Sequence, residues 1–196
     1  MADLASSGEI LDFWFPAPGS AGHGSYRVEW FRKDAEFDAS IRALFGDTVE
    51  AALDGSLPPP ADDRQTIARI LLLDQFTRNI FRDTPRAFAG DAQALALATD
   101  LVSAGRDKNL DCWQRWFAYL PFEHAESPLE QERSVALFAA LARELKTPDF
   151  DSALDYAERH RAIIQRFGRF PHRNAILGRP STAEETEFLR QPGSSF

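Results

Sequence analysis

Four groups of residues in this chain have types and spacings that could do chemistry. The first is Tyr119-Leu120-Pro121-Phe122-Glu123-His124-Ala125-Glu126, where two carboxylates flank a histidine. That combination suits general acid–base work, with His124 as base beside Glu123 or Glu126. It matches neither His-Glu-x-x-His nor the paired Glu-x-x-His of a di-iron bundle, so no metal and no cofactor is assigned. The structural alternative is that Glu126 and Glu130 favour a nearby helix N-terminus.

The second group is Asp74, Gln75, Arg78, Asn79 and Arg82, which at about 100° per residue share a wedge of roughly 140° on an otherwise apolar helix. Either they face solvent with Asp74 pairing Arg78 at i,i+4, or they line a pocket in which the amides give directional hydrogen bonds. The third is His160, near the middle of the apolar face of Ala153, Tyr156, Ala157, Ile163, Ile164 and Phe167. A buried histidine there is either bonded to one core partner or serves as a ligand contact or proton shuttle. The fourth runs from Arg159 to Arg179 with six arginines, His160 and His172, and no acid: formally +6 in a chain of −8, leaving −14 elsewhere. Its densest part, Phe167-Gly168-Arg169-Phe170-Pro171-His172-Arg173-Asn174, suits planar anions, because arginine bonds carboxylate or phosphate bidentately. These arginines either bind an anion or pair with acids elsewhere in the fold.

Other signatures are missing: there is no G-x-G-x-x-G, Walker A loop or G-x-S-x-G elbow, and Cys112 beside Asp111 reads as a helix-border residue.

The elements that must position these groups are helices. No stretch alternates with the period of a half-buried strand. Ser6 with Glu9 opens a short helix that Pro16 ends; a second starts near Asp34, with Gly46 as a candidate bend, and Pro58-Pro59-Pro60 stop it. Asp62 with Gln65 opens a third, to Phe81, and a fourth follows Asp91 and stops at Gly105. Trp113, Trp116, Phe117 and Leu120 mark a fifth, ended by Pro121. Ser127-Pro128-Leu129-Glu130 caps a sixth to about Leu145; a seventh spans about Asp151–Phe167 with Gly168 as its stop, and Thr182 opens a short eighth. The expectation is an all-α fold of seven or eight helices, stacked as antiparallel helical hairpins because the connections are short.

A chain of 196 residues with 44% apolar content and 16 Phe can bury one sizeable core, so residues 1–196 read as a single helical domain. The net charge of −8 argues against a nucleic-acid binder. One cysteine excludes an intramolecular disulfide, no basic leader precedes an apolar stretch, and the run Val135–Ala142 is far short of a bilayer span. A cytoplasmic location with no membrane partner is expected.

Read together, Ile10-Leu11-Asp12-Phe13-Trp14-Phe15, Trp30-Phe31 with Phe37-Asp38, Leu72 through Arg82, Tyr119 through His124 and Phe167 through Asn174 resemble an uncharacterised bacterial and eukaryotic family known as DUF924. The similarity spans nearly the whole chain. One departure is Ala125, where the family pattern favours Ser, so no hydroxyl role carries over. The resemblance implies a fold similar to tetratricopeptide-type helical hairpins, supplies no activity, and makes the Asp74, His124 and Arg169 clusters candidates for one shared site.

The leading functional expectation is a binding module for a small anionic molecule or acidic peptide, lined by Asp74, Gln75, Arg78, Asn79, Arg82, Tyr119, His124, His160, Arg169, His172, Arg173 and Asn174. The alternative is a hydrolase-like enzyme using His124 or His160 with Glu123 or Glu126, arginines stabilising an oxyanion. A third is an interaction protein whose exposed aromatics, such as Trp14 or Trp30, form a homodimer face.

Overall fold

The computed structural model describes residues 4–16, 19–20 and 22–195, and every regular element among them is helical. Helix α1 (Ser7–Trp14) opens on the expected capping box, with the Glu9 carboxylate accepting the Ser6 N–H at 2.8 Å. Its last carbonyls are satisfied from outside: Arg27 Nη1 donates to Phe13 O and Trp14 O at 2.7 and 2.9 Å. Asp34 caps α2 (Ala35–Leu53). This helix runs unbroken through Gly46 and ends before the prolines, at a left-handed Gly55 with φ of 76°.

Asp62 caps α3, which is continuous but changes its winding: α over Asp63–Ile70, π over Leu71–Phe76, α again over Thr77–Ile80. Then come α4 (Asp91–Ser103), α5 (Cys112–Glu123), α6 (Pro128–Leu145), α7 (Pro148–Phe167) and α8 (Ala183–Phe188). Eight helices with no strand among the described residues match the all-α expectation, and their packing is consistent with stacked hairpins. Pro121 does not end α5. A proline removes one N–H bond but has helical φ, so the helix continues to Glu123.

The chain divides into two compact units: one through Arg82 together with Arg86–Pro121, the other Asp83–Pro85 together with the residues from Phe122 on. In the first, α3 is central, packed by α1, α2 and α4. Its core is aromatic, with Phe13, Phe45 and Phe76 ring centroids 5.1 to 6.3 Å apart. Trp14 and Trp30 belong to it, at 0% and 5% exposure. The expectation that they form an exposed dimer face therefore fails: Trp14 stacks among Phe37, Phe76 and Phe117, and its carbonyl takes the Trp30 indole N–H at 3.0 Å.

In the second unit, α6 and α7 form a tight pair joined through Lys146 and Thr147, the former left-handed at φ 54°. Proline stands at the first turn of each. Glu132 accepts from Arg161 at 3.1 Å and from Gln165 at 3.0 Å, which sets the register of the pair. The end of α5 is closed by a side chain: Gln131 Nε2 donates to Glu123 O at 2.6 Å and Ala125 O at 2.8 Å.

Gly90, just before α4, lies against the π segment so closely that a Cβ there would stand 2.3 Å from Leu73 O. Backbone cannot yield as a side-chain tip can, so Gly90→Ala is expected to destabilise the protein by about 1–3 kcal/mol, the usual range for overpacking. Urea denaturation of the variant measures this, and unchanged stability would show that the approach is not tight.

Candidate functional site

The polar stripe of α3 is engaged within the first unit. Asp74 is fully buried, accepts from Gln75 Nε2 at 2.6 Å and lies 3.3 Å from Arg78. Arg78 forks onto Asp91 at 2.8 and 3.0 Å, tying α3 to α4. Arg82 forks onto Asp38 at 2.8 Å twice, and Asn79 Nδ2 donates to the same carboxylate at 2.7 Å, tying α3 to α2. The carboxylate-binding edges of both arginines are thus occupied by the protein's own acids. Tyr119 is fully buried and donates to Asp107 Oδ2 at 2.6 Å. Burial, then that bond, pushes its phenol up to about 12. At the start of α5, burial and Asp111 likewise push the Cys112 thiol up, which fits an unreactive residue.

The other sequence-derived residues lie in the second unit, where a buried group forms around His160. His160 is 5% exposed, and its Nδ1 is 2.8 Å from Tyr156 O and 3.3 Å from Glu123 Oε1. A carbonyl can only accept, so Nδ1 carries the proton and Nε2 the lone pair. The rings of His124 and Phe170 have centroids 6.4 and 5.4 Å from that of His160, and His172 is 5.6 Å from Phe170. Arg173, 6% exposed, lies over the Phe170 face at 4.5 Å. Burial above all, with His124, Arg173 and His172 adding positive charge, pushes His160 down to about 3, against the pull of Tyr156 O.

A frame of ion pairs holds this group. Arg179 forks onto Glu126 at 2.6 and 2.9 Å and donates from Nε to Asn174 Oδ1 at 3.0 Å. Glu126 also accepts the Phe170 N–H at 2.8 Å. Burial alone would raise its carboxyl, yet Arg179 and Phe170 hold it below the ordinary range. Arg169 forks onto Glu185 at 2.7 and 2.8 Å, and Glu185 in turn closes the capping box of α8 with Thr182. Arg169, Asn174 and Glu126 thus face bonds that shape the segment after Gly168. No group of three or more His, Cys, Asp or Glu among the described residues is placed to hold a metal ion.

A family model described as a bacterial protein of unknown function, DUF924, matches residues 10–193. The chain belongs to the DUF924 family. This DUF924 protein is also similar to a solved protein of unknown function from Agrobacterium tumefaciens, with 38% identity over 93% of this chain and 96% of that one and a TM-score of 0.76. No curated protein matches it. No helix among its described residues is long and apolar enough to cross a membrane.

Sequence reasoning missed Gln131 and Ser134, both fully buried in α6. The available signal was their i,i+3 placement on the stripe continued by Phe138 and Leu141. It also noted Arg179 only as one charge of a run, because its partner Glu126 stands 53 residues away.

A His160 held neutral binds its proton more readily unfolded than folded, so the folded state loses stability as pH falls from 6.5 toward about 3. Histidine-resolved NMR titration of this DUF924 protein is expected to find His160 neutral at pH 5. A midpoint at or above 6.5 would mean that Glu123 dominates.

Proposed function

We propose that the second unit binds a small anionic molecule, held by Arg173, His172 and His124 beside His160. The observation that carries this reading is the gathering of His124, His172 and Arg173 about the buried His160 and Phe170 rings, where their charge adds to burial in depressing proton binding at His160. An anion placed there neutralises that charge at low dielectric, where charge interactions are strong. Arginine and imidazolium N–H groups suit a carboxylate or a phosphate, including the C-terminal carboxylate of an acidic peptide. In this reading Arg169, Asn174 and Arg179 build the frame, and Asp74, Gln75, Arg78, Asn79, Arg82 and Tyr119 serve the fold of the first unit.

The Glu123–His160 approach of 3.3 Å supports a second reading, acid–base catalysis of a hydrolytic kind. A neutral imidazole with its tautomer fixed has the form of a general base, and a bound anion raises its affinity for a proton. Turnover lost in His160→Asn with anion binding retained would favour catalysis over simple binding.

The test of the leading reading is thermal stability with inorganic phosphate, pyrophosphate, small carboxylates and an acidic peptide, in wild type and Arg173→Ala. A ligand at 100 times its Kd adds about 2.7 kcal/mol, so a rise in Tm of several degrees is expected for one class of anion and is lost in Arg173→Ala. Absence of any shift, or a shift that survives the substitution, would overturn the assignment.

A further inference from the structure

The first unit carries an open cleft of about 800 Å³ between the end of α1 and the short 3₁₀ turn Val28–Trp30. That volume lies in the range of small-molecule sites, roughly 300–1,000 Å³. Asp12, Phe13, Pro16, Tyr26, Arg27 and Glu29 are among its lining residues. The two segments that form it are fixed to one another: Arg27 Nη1 donates to the Phe13 and Trp14 carbonyls, and the Trp30 indole N–H donates to the Trp14 carbonyl. The cleft therefore exists before anything binds, and a ligand need not order it.

Three side chains set its charge: the carboxylates of Asp12 and Glu29 against the guanidinium of Arg27, a net −1. Arg27 is committed to the carbonyls that end α1 and to the Phe37 ring, 5.9 Å from its guanidinium carbon. Its approach to Glu29, at 3.9 Å, is longer than a hydrogen bond. The remaining lining is largely apolar or aromatic. Tyr26 is 41% exposed, with its ring edge-on to Trp30 at 5.9 Å. An aromatic ring open to water beside carboxylates is a setting in which a cation gains both from the ring quadrupole and from opposite charge. The cation is not a metal ion, because the cleft far exceeds the size of one and no group of three His, Cys, Asp or Glu among the described residues is placed to hold it.

We propose that this cleft binds a small organic monocation, an alkylammonium or alkylguanidinium compound, with its charged end on Asp12 and Glu29 and its carbon body over Tyr26, Phe13 and Pro16. A dication is disfavoured, because the lining offers one net negative charge and Arg27 stands within it. The site lies within the first unit, so it stands or falls independently of the anion site.

The test is an NMR titration of the full chain with butylguanidinium and phenethylammonium, each beside its neutral counterpart, butylurea or phenethyl alcohol. Saturable shifts at Tyr26 and Glu29 are expected, with each cation bound about tenfold more tightly than its neutral counterpart, the combined worth of an exposed ion pair and a cation–π contact. The double variant Asp12→Asn, Glu29→Gln keeps the shape of both side chains at positions outside the core, so it folds, and it is expected to bring that ratio close to one. A capped peptide with a single arginine tells the sources of this chemistry apart: tighter binding than butylguanidinium supports a guanidinium carried on a protein, weaker binding a free compound. Absence of shifts with both cations, equal binding of cation and neutral counterpart, or a preference that survives the double variant each overturns the proposal.

Discussion

The Glu126 carboxylate accepts both arms of the Arg179 guanidinium and the backbone N–H of Phe170, and the placement of the segment after Gly168 depends on these three bonds. Arg179 also reaches Phe170 O at 3.2 Å, so Phe170 is gripped at both its donor and its acceptor. Phe170 in turn gives the ring against which His160, His172 and Arg173 are arrayed. A bidentate, partly buried pair has the directional strength for such a role, whereas exposed single-point ion pairs contribute little.

The arginine run is more thoroughly paired than its local sequence suggests. Arg159, Arg161, Arg166, Arg169 and Arg179 bridge to Asp155, Glu132, Glu184, Glu185 and Glu126. Most of the local +6 is thus answered by acids of the same unit, and the positive field at His160 comes from Arg173 and the histidines. Acids placed within one turn of their partners could be read from the chain, as Asp155 with Arg159. Those 16 to 53 residues away, Glu185 and Glu126, could not, since only tertiary structure brings them near.

The helices themselves were largely legible, because their ends are written in local chemistry: Ser6 with Glu9, Asp34, Asp62, Ser127 with Pro128, Gly168 and Thr182 all stand where the structure begins or ends a helix. Pro121 misled because a proline near a helix end costs a single bond, and the Gln131 amide finishes the terminus instead. Trp14 and Trp30 misled because large aromatics serve a core and an interface equally well, and only the packing around them decides. The π turn of α3 left no signal in residue types. A uniform 100° wheel therefore groups Asn79 and Arg82 with Asp74 and Arg78, although they bond to a different neighbouring helix.

That turn acts as a phase shifter. A π turn holds one residue more than the α turn it replaces, and each residue rotates the remainder of the helix by about 100°. The same residues wound throughout as an unbroken α-helix would keep every apolar side chain but not the phase. Its last turn would then be rotated by about a quarter circle, carrying Asn79 and Arg82 away from Asp38. The winding of this stretch, rather than the identity of its side chains alone, is therefore what aims Asn79 and Arg82 at Asp38.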